Sequence, residues 1–335
     1  MNLPKYAILH ISLFVVLSGI ASGVDENCNL EESTNNPIPE AAGSLCTQDP
    51  RYWEWKTSAQ TDESVLYHIE SECELNTPEV IDACRVPRNI HLVWYNGSSF
   101  RFDHYLALKS MFVTIIPDNI FVHGREFPTH SVYFDRSVEE FDLKLVQSRG
   151  VEKVHNRTVA VIEHKSDVVR IETLIRFGGM YFDTDVLLLR PVFHFYENEE
   201  TVLGPQNSNG LNCGIIFAKR CSRFMRRWYQ SYKNLDDTMW GHHCVIVPHQ
   251  LMIEDSAGVK ADGLRIKTNF LESGDMLFSV DTSPGFWSDA SIIHSFIRFY
   301  PHYMIDEGST MMLKNNYGHI ARNILSGKPG LSTEL

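Results

Sequence analysis

The pattern of apolar and polar residues changes near residue 87. Residues 24–86 are polar and are interrupted by Pro, Asn and Cys, with one helix-like stretch near DESVLYHIESECEL. They predict a stem or a small disulfide-held cap. From VPRNIHLVWYNG onward, short apolar runs alternate with amphipathic stretches. The run IHLVWY, which ends at an Asn-Gly turn signal, predicts a buried strand.

Further helices and strands follow in alternation. We expect a helix near HYLALKSMF, strands near NIFVHG and VEKVHNRTVAVI, and another strand over GIIFAKR. Strands that alternate with helices are typical of layered α/β domains. The chain therefore predicts a single α/β domain over residues 87–325.

Residues 164–191, HKSDVVRIETLIRFGGMYFDTDVLLLRP, predict a helix, a tight turn and a strand. Ser166 is a good N-cap, and apolar residues from Val168 to Ile175 recur at the spacing of one helix face. Two glycines then end the helix. The β-branched, aromatic and leucine residues that follow predict a strand.

That predicted strand carries two acidic residues, Asp183 and Asp185. Buried carboxylates are costly unless they are paired or bound to a metal. Because residues i and i+2 of a strand point to the same face, both side chains could meet one cation. Two hard oxygen ligands suit Mg²⁺ or Mn²⁺ bridging two phosphates. An Asp-X-Asp triplet by itself is common by chance, so its context carries the interpretation.

Asp167 and Arg170 are three residues apart, which predicts that they share one side of the first helical turn. The N-H groups and the dipole of a helix N-terminus favour an anionic ligand there. The alternative is a local ion pair on a solvated face, which is common and nearly neutral in energy.

The composition argues against one class of function. Apolar residues make up 43% of the 335-residue chain and charged residues 21%, as in globular proteins. The formal net charge of -12 argues against a nucleic-acid surface, because such a chain is poorly suited to neutralising a run of phosphates. Any bound phosphate must be held by a few placed groups.

The first 23 residues, MNLPKYAILHISLFVVLSGIASG, put one Lys before an apolar run that ends in small residues. They predict a cleaved secretory signal or an uncleaved signal anchor. Both alternatives place the body of the chain in the secretory pathway, and sequons at Asn96 and Asn156 agree. We expect the Golgi lumen or membrane, or secretion if the signal is cleaved.

Seven cysteines would mostly be oxidised in that compartment, and an odd count leaves at least one unpaired. Their positions suggest Cys28 with Cys46 and Cys73 with Cys84. A strand over GIIFAKR would separate Cys213 and Cys221 too far for a disulfide, which leaves Cys244 as the expected partner of one of them. Zinc at His242-His243-Cys244 is disfavoured, since no second ligand pair has finger-like spacing.

Two of these stretches carry a family resemblance. SDVVRIETLIRFGGMYFDTDVLLLRP resembles the S-D-x-x-R…G-G-x-Y-x-D-x-D block of DXD sugar transferases, a group like glycosyltransferase family 32. This group includes yeast α-mannosyltransferases and vertebrate α-1,4-galactosyltransferases and α-1,4-N-acetylglucosaminyltransferases. VPRNIHLVWYNG resembles the family's opening strand, I-P-x-x-I-H-x-x-W. The resemblance covers residues 87–225.

The resemblance implies a GT-A fold, in which helices flank a mixed sheet that binds a nucleotide sugar. It also implies Mn²⁺ or Mg²⁺ and a retaining transfer of a hexose or N-acetylhexosamine to a glycan or glycolipid acceptor. A UDP-sugar donor is favoured over GDP-mannose.

By position, the resemblance implies a metal site of Asp183, Asp185 and the late His294 in SIIHSF. Asp185 would be the main ligand, and Arg170 would stabilise the departing diphosphate. His294 has an alternative reading as an ordinary core histidine of a strand.

The resemblance also implies contacts with the donor. Trp94 would stack on the nucleotide base. Asp167 and Arg170 would hold the ribose, the donor sugar or the phosphate, and Asp183 would contact the ribose. Alternatively, Trp94 is an aromatic residue of the apolar core. Asn212 could face the acceptor.

The family pattern is incomplete in two places, which leaves the acceptor open. Residues 100–165 lack the W-x-x-x-x-P-x-Y-E piece, and MWGHHCVIVPHQLM has no counterpart in the acceptor-side pattern. A rival interpretation is a luminal or secreted nucleotide-sugar or carbohydrate-binding protein without turnover. A phosphohydrolase is disfavoured, because such sites usually have more carboxylate or histidine ligands. Asn96 would lie near the base pocket, so we expect it to be unglycosylated.

Overall fold

A mixed seven-stranded sheet is the centre of the computed structural model, which describes residues 45–46, 62–95, 99–278 and 289–327. The described strands are β1 Asn89–Trp94, β2 Asn119–Gly124, β3 Lys144–Gln147, β4 Lys153–Val154, β5 Arg157–Thr158, β6 Gly179–Phe182, β7 Val186–Leu188, β8 Thr201–Asn207, β9 Gly210–Ala218, β10 Lys260–Ala261, β11 Ile266–Lys267 and β12 Ile292–His294. The main sheet has the order β10-β8-β9-β6-β1-β2-β3.

Helices cover this sheet. They are α1 Asp62–Glu74, α2 Pro78–Ala83, α3 Phe102–Ile115, α4 Val132–Phe141, α5 Ile162–Phe177, α6 Arg223–Ser231, α7 Val247–Glu254, α8 Phe270–Phe278, α9 Glu307–Met311 and α10 Asn316–Leu325, with a π-helical turn at His242–Ile246. The strands and helices expected at IHLVWY, HYLALKSMF, NIFVHG and GIIFAKR are confirmed. The stretch VEKVHNRTVAVI forms the short β4–β5 hairpin instead of one strand.

The sheet separates two apolar cores because neighbouring strand residues point to opposite faces. Met180 and Phe182 of β6 join the core that contains α3 and α4, whereas Tyr181 joins the core that contains α1, α5 and α6. β1 pairs in parallel with β2 and β6, and β9 pairs antiparallel with β6 and β8. Both faces are therefore buried, and the cavity described below lies where the strands end.

The predicted single strand over MYFDTDVLLLR is wrong. β6 ends at Phe182, residues 183–185 form a turn, and β7 begins at Val186. β7 leaves the main sheet and pairs antiparallel with β12 in a small sheet of order β11-β12-β7. The turn arises because the chain passes from one sheet to the other at this point. The two aspartates are therefore grouped by a turn and not by strand alternation.

The predicted start of the central helix at Ser166 is also wrong. α5 begins at Ile162, and the carboxylate of Asp237 accepts hydrogen bonds from the backbone N-H groups of Ala160 and Val161. A carboxylate from a distant segment thus satisfies the free N-H groups that precede the helix. Asp167 and Arg170 consequently lie beyond the first turn of the helix. They are therefore not part of an anion site at the helix N-terminus.

The end of α5 agrees with the prediction. Gly178 has a φ of 65° and its N-H donates to Leu174 O at 2.9 Å. A Cβ atom at this position would lie 2.9 Å from Pro87 Cδ and 2.7 Å from Arg220 N. Glycine is required here by both the positive φ and the lack of space.

Residues 62–86 pack on the α/β domain. Glu72 of α1 forms an ion pair with buried Arg176 of α5, and Cys73 of α1 forms a disulfide with Cys221. A second disulfide joins Cys46 to Cys84. The expected pairs Cys28–Cys46 and Cys73–Cys84 are therefore wrong.

Two other expectations concern the remaining cysteines. Cys213 and Cys221 are unpaired with each other, as the strand geometry predicted. Cys244 was expected to form a disulfide with one of them, which is wrong because Cys213 and Cys244 are both free thiols.

Several predictions concern the N-terminal segment and the sequons. The predicted signal at residues 1–23 and the sequon at Asn96 lie outside the described residues. Asn156 is exposed in the β4–β5 turn. No helix in the described ranges has the length and apolar character needed to cross a bilayer.

Candidate active site

A polar cavity of about 300 Å³ opens where the β6–β7 turn meets β9, β12, α5 and the π-helical turn. Four of its lining residues are the carboxylates Glu163, Asp167, Asp183 and Asp185. Arg170, His294 and Asn212 also line it, so the cavity brings together six of the seven residues singled out from the sequence. Trp94 is the exception.

Asp183, Asp185 and His294 form the floor of the cavity, where one ligand atom from each lies within 4.8 Å of the others. His294 Nε2 is 2.9 Å from Asp185 Oδ1 and 3.8 Å from Asp183 Oδ2. The His294 side chain is 7% exposed, whereas those of Asp183 and Asp185 are 28% and 18% exposed. The imidazole is therefore enclosed while the carboxylates face the opening.

Backbone contacts fix this floor. Asp183 N donates to Gly214 O at 2.8 Å, and Ser295 Oγ and Ser295 N both donate to Asp185 O. Gly214 of β9 passes so close that a Cβ atom there would overlap the Asp183 carboxylate and lie 2.9 Å from His294 Cε1. Close backbone approach explains the glycine at this position. The geometry of the carboxylates thus depends on three separate segments of the chain.

The floor fits a divalent cation. Two carboxylates and one imidazole are a donor set that Mn²⁺ accepts readily, and Mg²⁺ accepts the oxygen ligands. Asp183 Oδ1 accepts a hydrogen bond from Tyr181 OH at 2.7 Å, which leaves Oδ2 directed at the cluster. Such supporting hydrogen bonds orient metal ligands in proteins.

Arg170 lies beside the floor and is itself almost fully enclosed, with a side chain 6% exposed. Its Nη2 is 3.1 Å from Asp167 Oδ1, and its Nη1 is 3.4 Å from Asp183 Oδ1 and donates to Cys213 O at 2.7 Å. Its guanidinium carbon lies 4.4 Å from the centre of the Tyr181 ring. The alternative of an ion pair on a solvated face is therefore wrong, since both partners are buried.

The protonation states follow from burial and charge. Burial raises the pKa of Asp167, and Arg170 only partly offsets this effect. Burial opposes the charge of Arg170, but Tyr181 and Asp183 hold its pKa well above the ordinary value. Burial also favours neutral Asp185 and His294, yet their mutual attraction lowers the pKa of Asp185 and raises that of His294. A cation at the floor would compete with the proton on His294 Nε2.

Trp94 lies behind the cavity. Its side chain is buried, and its ring centre is 5.2 Å from that of Phe100 and 5.1 Å from that of His104. Its neighbour Val93 lines the cavity from the opposite face of β1. Trp94 therefore belongs to the apolar core and is not among the residues that line this cavity.

Asn212 lies in the cavity wall. Its side-chain amide donates to Gln206 Oε1 at 3.0 Å and its Oδ1 accepts from Gly214 N at 2.9 Å. Asn212 therefore holds the glycine that approaches Asp183, in addition to facing the cavity.

The rim of the cavity was missed by sequence reasoning. Trp240, which lines the cavity, is 60% exposed, and Phe299, which contacts the lining residue Arg298 but does not itself line the cavity, is 54% exposed. The guanidinium of exposed Arg298 lies 5.8 Å from the first ring centre and 4.9 Å from the second. These residues come from segments without a recognisable pattern. Exposed aromatic residues can be identified as a rim only once folding places them beside the carboxylates.

A comparison with known proteins gives the family context. Residues 87–208 match the family described as "Glycosyltransferase sugar-binding region containing DXD motif". The resemblance to DXD sugar transferases is thereby confirmed.

A curated relative is "Glucan organizing enzyme 1" of Cryptococcus neoformans var. grubii serotype A, 28% identical over 193 residues. The match covers 52% of each protein, so the chain spans about half the length of this relative.

Solved structures resemble the chain only distantly. The apo form of glycosyltransferase GlyE from Streptococcus pneumoniae TIGR4 has a TM-score of 0.43 and 9% identity, over 74% of this chain and 66% of that one. A galactosyltransferase LgtC complex with donor and acceptor sugar analogs has a TM-score of 0.39 and 10% identity, over 74% of this chain and 97% of that one. These values are too low to assign the GT-A fold, which enters the proposal below.

Proposed function

We propose that this chain, whose residues 87–208 match the DXD sugar-binding region of glycosyltransferases, is a metal-dependent, retaining transferase with a GT-A fold. It would move a hexose or N-acetylhexosamine from a nucleotide sugar, with UDP favoured, to a glycan or glycolipid acceptor. Its place would be the Golgi or the wider secretory pathway. The observation that supports this proposal best is the Asp183–Asp185–His294 cluster on the floor of a polar cavity.

Asp183, Asp185 and His294 would hold Mn²⁺ or Mg²⁺, and the imidazole nitrogen favours Mn²⁺. A metal held there would neutralise charge on the diphosphate leaving group. Tyr181 and Arg170 hold Asp183 from behind, so its free oxygen stays directed at the cluster. Preorganised charge of this kind is the main way in which enzymes stabilise a departing anion.

The two arginines have different parts in this proposal. Arg170 is committed to Asp167, Asp183 and the Cys213 carbonyl, so we assign it to positioning. Arg298 is exposed at the cavity edge, and no ion pair involves it in the described ranges. Burial raises the pKa of Asp185, His294 lowers it, and the charge of Arg298 lowers it further. Arg298 is therefore the cation that can move onto the departing diphosphate.

The acceptor would bind at the rim. Pyranose rings present an apolar C-H face, which packs well on an exposed indole or phenyl ring. Trp240 and Phe299 offer such faces beside Arg298. The amides of Asn212 and Gln206 lie deeper in the same cavity and can bond to sugar hydroxyls.

Retention requires either a carboxylate nucleophile or attack from the face of the leaving group. Asp167 is bound to Arg170, and Asp183 and Asp185 belong to the metal cluster. Glu163, the fourth carboxylate of the cavity, remains as an alternative nucleophile, and we favour same-face attack over its use. Detection of a glycosylated carboxylate in a mass spectrum of the donor-treated protein would contradict this choice.

A donor screen tests the proposed function. Purified protein is incubated with UDP- and GDP-sugars in the presence of Mn²⁺ or chelator, and free nucleotide is measured. We expect Mn²⁺-dependent release from one donor, and loss of release in Asp185→Asn with an unchanged melting temperature. Asp118→Asn, at an exposed position outside the cavity, is the matched control. Donor binding without release or transfer would instead support the non-catalytic binding protein.

A further inference from the structure

The two free cysteines of the described residues meet in the wall of the cavity. Cys213 lies in β9, and Cys244 lies in the π-helical turn His242–Ile246. Each sulfur lies within 4.8 Å of the other and of an Asp167 carboxylate oxygen. Cys213 is 9% exposed and Cys244 is half-buried. Both cysteines line the cavity, and Cys244 is the more exposed of the two.

A metal site at these three residues is disfavoured by their surroundings. Arg170 Nη1 is 3.3 Å from Cys213 Sγ, and Arg170 Nη2 is 3.1 Å from Asp167 Oδ1. A cation would face this guanidinium at short range, and it would require thiolates as ligands. The hydrogen bond with Cys213, together with burial, raises the pKa of the Cys244 thiol. The two cysteines are therefore better described as a dithiol than as metal ligands.

We propose that Cys213 and Cys244 are a reversible covalent modification site, at which exchange with a low-molecular-weight disulfide such as oxidised glutathione joins the two sulfurs. The link would connect β9 to the π-helical turn. Trp240, Gly241 and Val245 line the cavity from the same segment as Cys244. The disulfide therefore locks one cavity wall to the strand that carries Gly214.

The exchange balances in two steps. The more exposed Cys244 first loses its proton, a step that its raised pKa makes slow, and then attacks the disulfide, forming a mixed disulfide and releasing one glutathione thiol. The Cys213 thiolate then attacks the Cys244 sulfur of the mixed disulfide and releases the second glutathione thiol. The two cysteines together lose two electrons and two protons, and oxidised glutathione gains them.

Oxidation also changes the contacts inside the cavity. The Cys213 thiol lies 3.9 Å from Asp167 Oδ1 as a weak donor. A disulfide sulfur has no hydrogen to donate. Oxidation would therefore remove the Cys213 contact of Asp167 and keep its ion pair with Arg170. The modification thus acts on the pair that holds Asp183, as well as on the cavity wall.

The test is a redox titration of the whole protein with mixtures of reduced and oxidised glutathione. Samples are acid-quenched, alkylated and digested without reduction, and linked peptides are identified by mass spectrometry. We expect a Cys213–Cys244 peptide to accumulate as oxidised glutathione increases, while the Cys46–Cys84 and Cys73–Cys221 peptides persist at every ratio. Alkylation of Cys213 and Cys244 should fall in parallel. Oxidation should raise the melting temperature by about 5 °C.

Cys244→Ser and Cys213→Ser provide the matched variants, and each should abolish the redox shift in melting temperature. Alkylation that stays constant across all ratios, or a link from either cysteine to Cys28, would overturn the proposal. Neither outcome depends on whether a variant folds, because both are read on the wild-type protein.

A separate measurement tests whether the disulfide locks the cavity wall. This measurement rests on the proposed function. Mn²⁺-dependent UDP release should differ by roughly fivefold between the reduced and oxidised wild-type protein. An unchanged rate with the disulfide formed would overturn the locking. If no donor is consumed in either state, the proposed function fails, while the peptide map still decides the disulfide.

Discussion

The floor of the cavity and the sheet interior behind β1 each enclose a histidine, yet they treat it in opposite ways. His294 faces Asp185 and Asp183, and its pKa is raised although burial acts against its charge. His91 forms hydrogen bonds with His123 Nε2 and Gly178 O, both at 3.0 Å, and burial lowers its pKa to about 3. The floor thus stabilises a charged histidine, whereas the sheet interior favours a neutral one.

This difference shows why burial alone does not distinguish a site from a core. Both histidines lie on strands and are buried. Only the neighbours differ: carboxylates in one region, a second neutral imidazole and a carbonyl oxygen in the other. The following predictions test whether the two regions really differ in this way.

The largest expected effect comes from removing the charge that supports the floor. Arg170→Met leaves Asp167 buried without its ion-pair partner, and breaking a buried pair in this way costs about 4 kcal/mol. We expect a loss of unfolding free energy of that size in urea denaturation. Lys165→Met is the control, because Lys165 pairs with the exposed Glu152 at 3.4 Å. Surface pairs contribute about 1 kcal/mol or less. Equal losses in the two variants would mean that the floor does not depend on charge.

The second prediction concerns the geometry of the floor. Gly214→Ala places a Cβ atom 2.9 Å from His294 Cε1 and in overlap with the Asp183 carboxylate. We expect metal-dependent nucleotide release to fall by about 100-fold, comparable to the loss of one preorganised electrostatic contact. Gly308→Ala is the control, since its Cβ would approach only Asp306 Oδ1, at 3.2 Å. Full activity in Gly214→Ala would show that the floor tolerates displacement.

The sequence predicted the parts of this floor better than their arrangement. The acidic pair, Arg170 and the glycine turn could be recognised from local patterns, because helix stops and strand content depend on neighbouring residues. The break after Phe182 could not, since it arises from pairing of β7 with β12, about 100 residues further along the chain.

Two other site features depend on contacts that local patterns do not contain. Asp237 lies before the start of α5 although it is about 75 residues distant in the sequence. Trp94 matches a base-stacking position of the family motif, but its ring packs against Phe100 and against His104 of α3 on the core side of β1. Long-range packing decided each of these outcomes.

The third prediction tests the neutral interior through pH. Between pH 6.5 and the folded-state pKa of about 3, unfolded His91 binds a proton that the folded state excludes. Stability is therefore fully present above pH 6.5 and falls as the pH decreases through this window. His91 alone should cost about 2 kcal/mol between pH 7.5 and pH 5.

The measurement for this prediction is the unfolding free energy of wild type and His91→Gln across that pH range. Glutamine retains hydrogen-bonding groups but does not titrate, so the variant should be less stable at neutral pH and lose less on acidification. Parallel pH curves for the two proteins would show that His91 is not held neutral. Carboxylates with lowered pKa values, such as that of Asp185, change their protonation at lower pH and affect both curves alike.

The smallest expected effect extends the comparison from the floor to the rim. Trp240 is 60% exposed, so Trp240→Ala should leave the folded state and the floor unchanged. Loss of one stacking face costs about 1.4 kcal/mol, which corresponds to a tenfold increase in KM for the acceptor. Donor hydrolysis without acceptor should keep its rate, because Asp183, Asp185 and His294 are untouched. Ile253→Ala, at a 71% exposed position outside the cavity, controls for loss of exposed apolar surface. A loss of donor hydrolysis in Trp240→Ala would place the indole in the donor site, whereas an unchanged acceptor KM would remove it from the acceptor site.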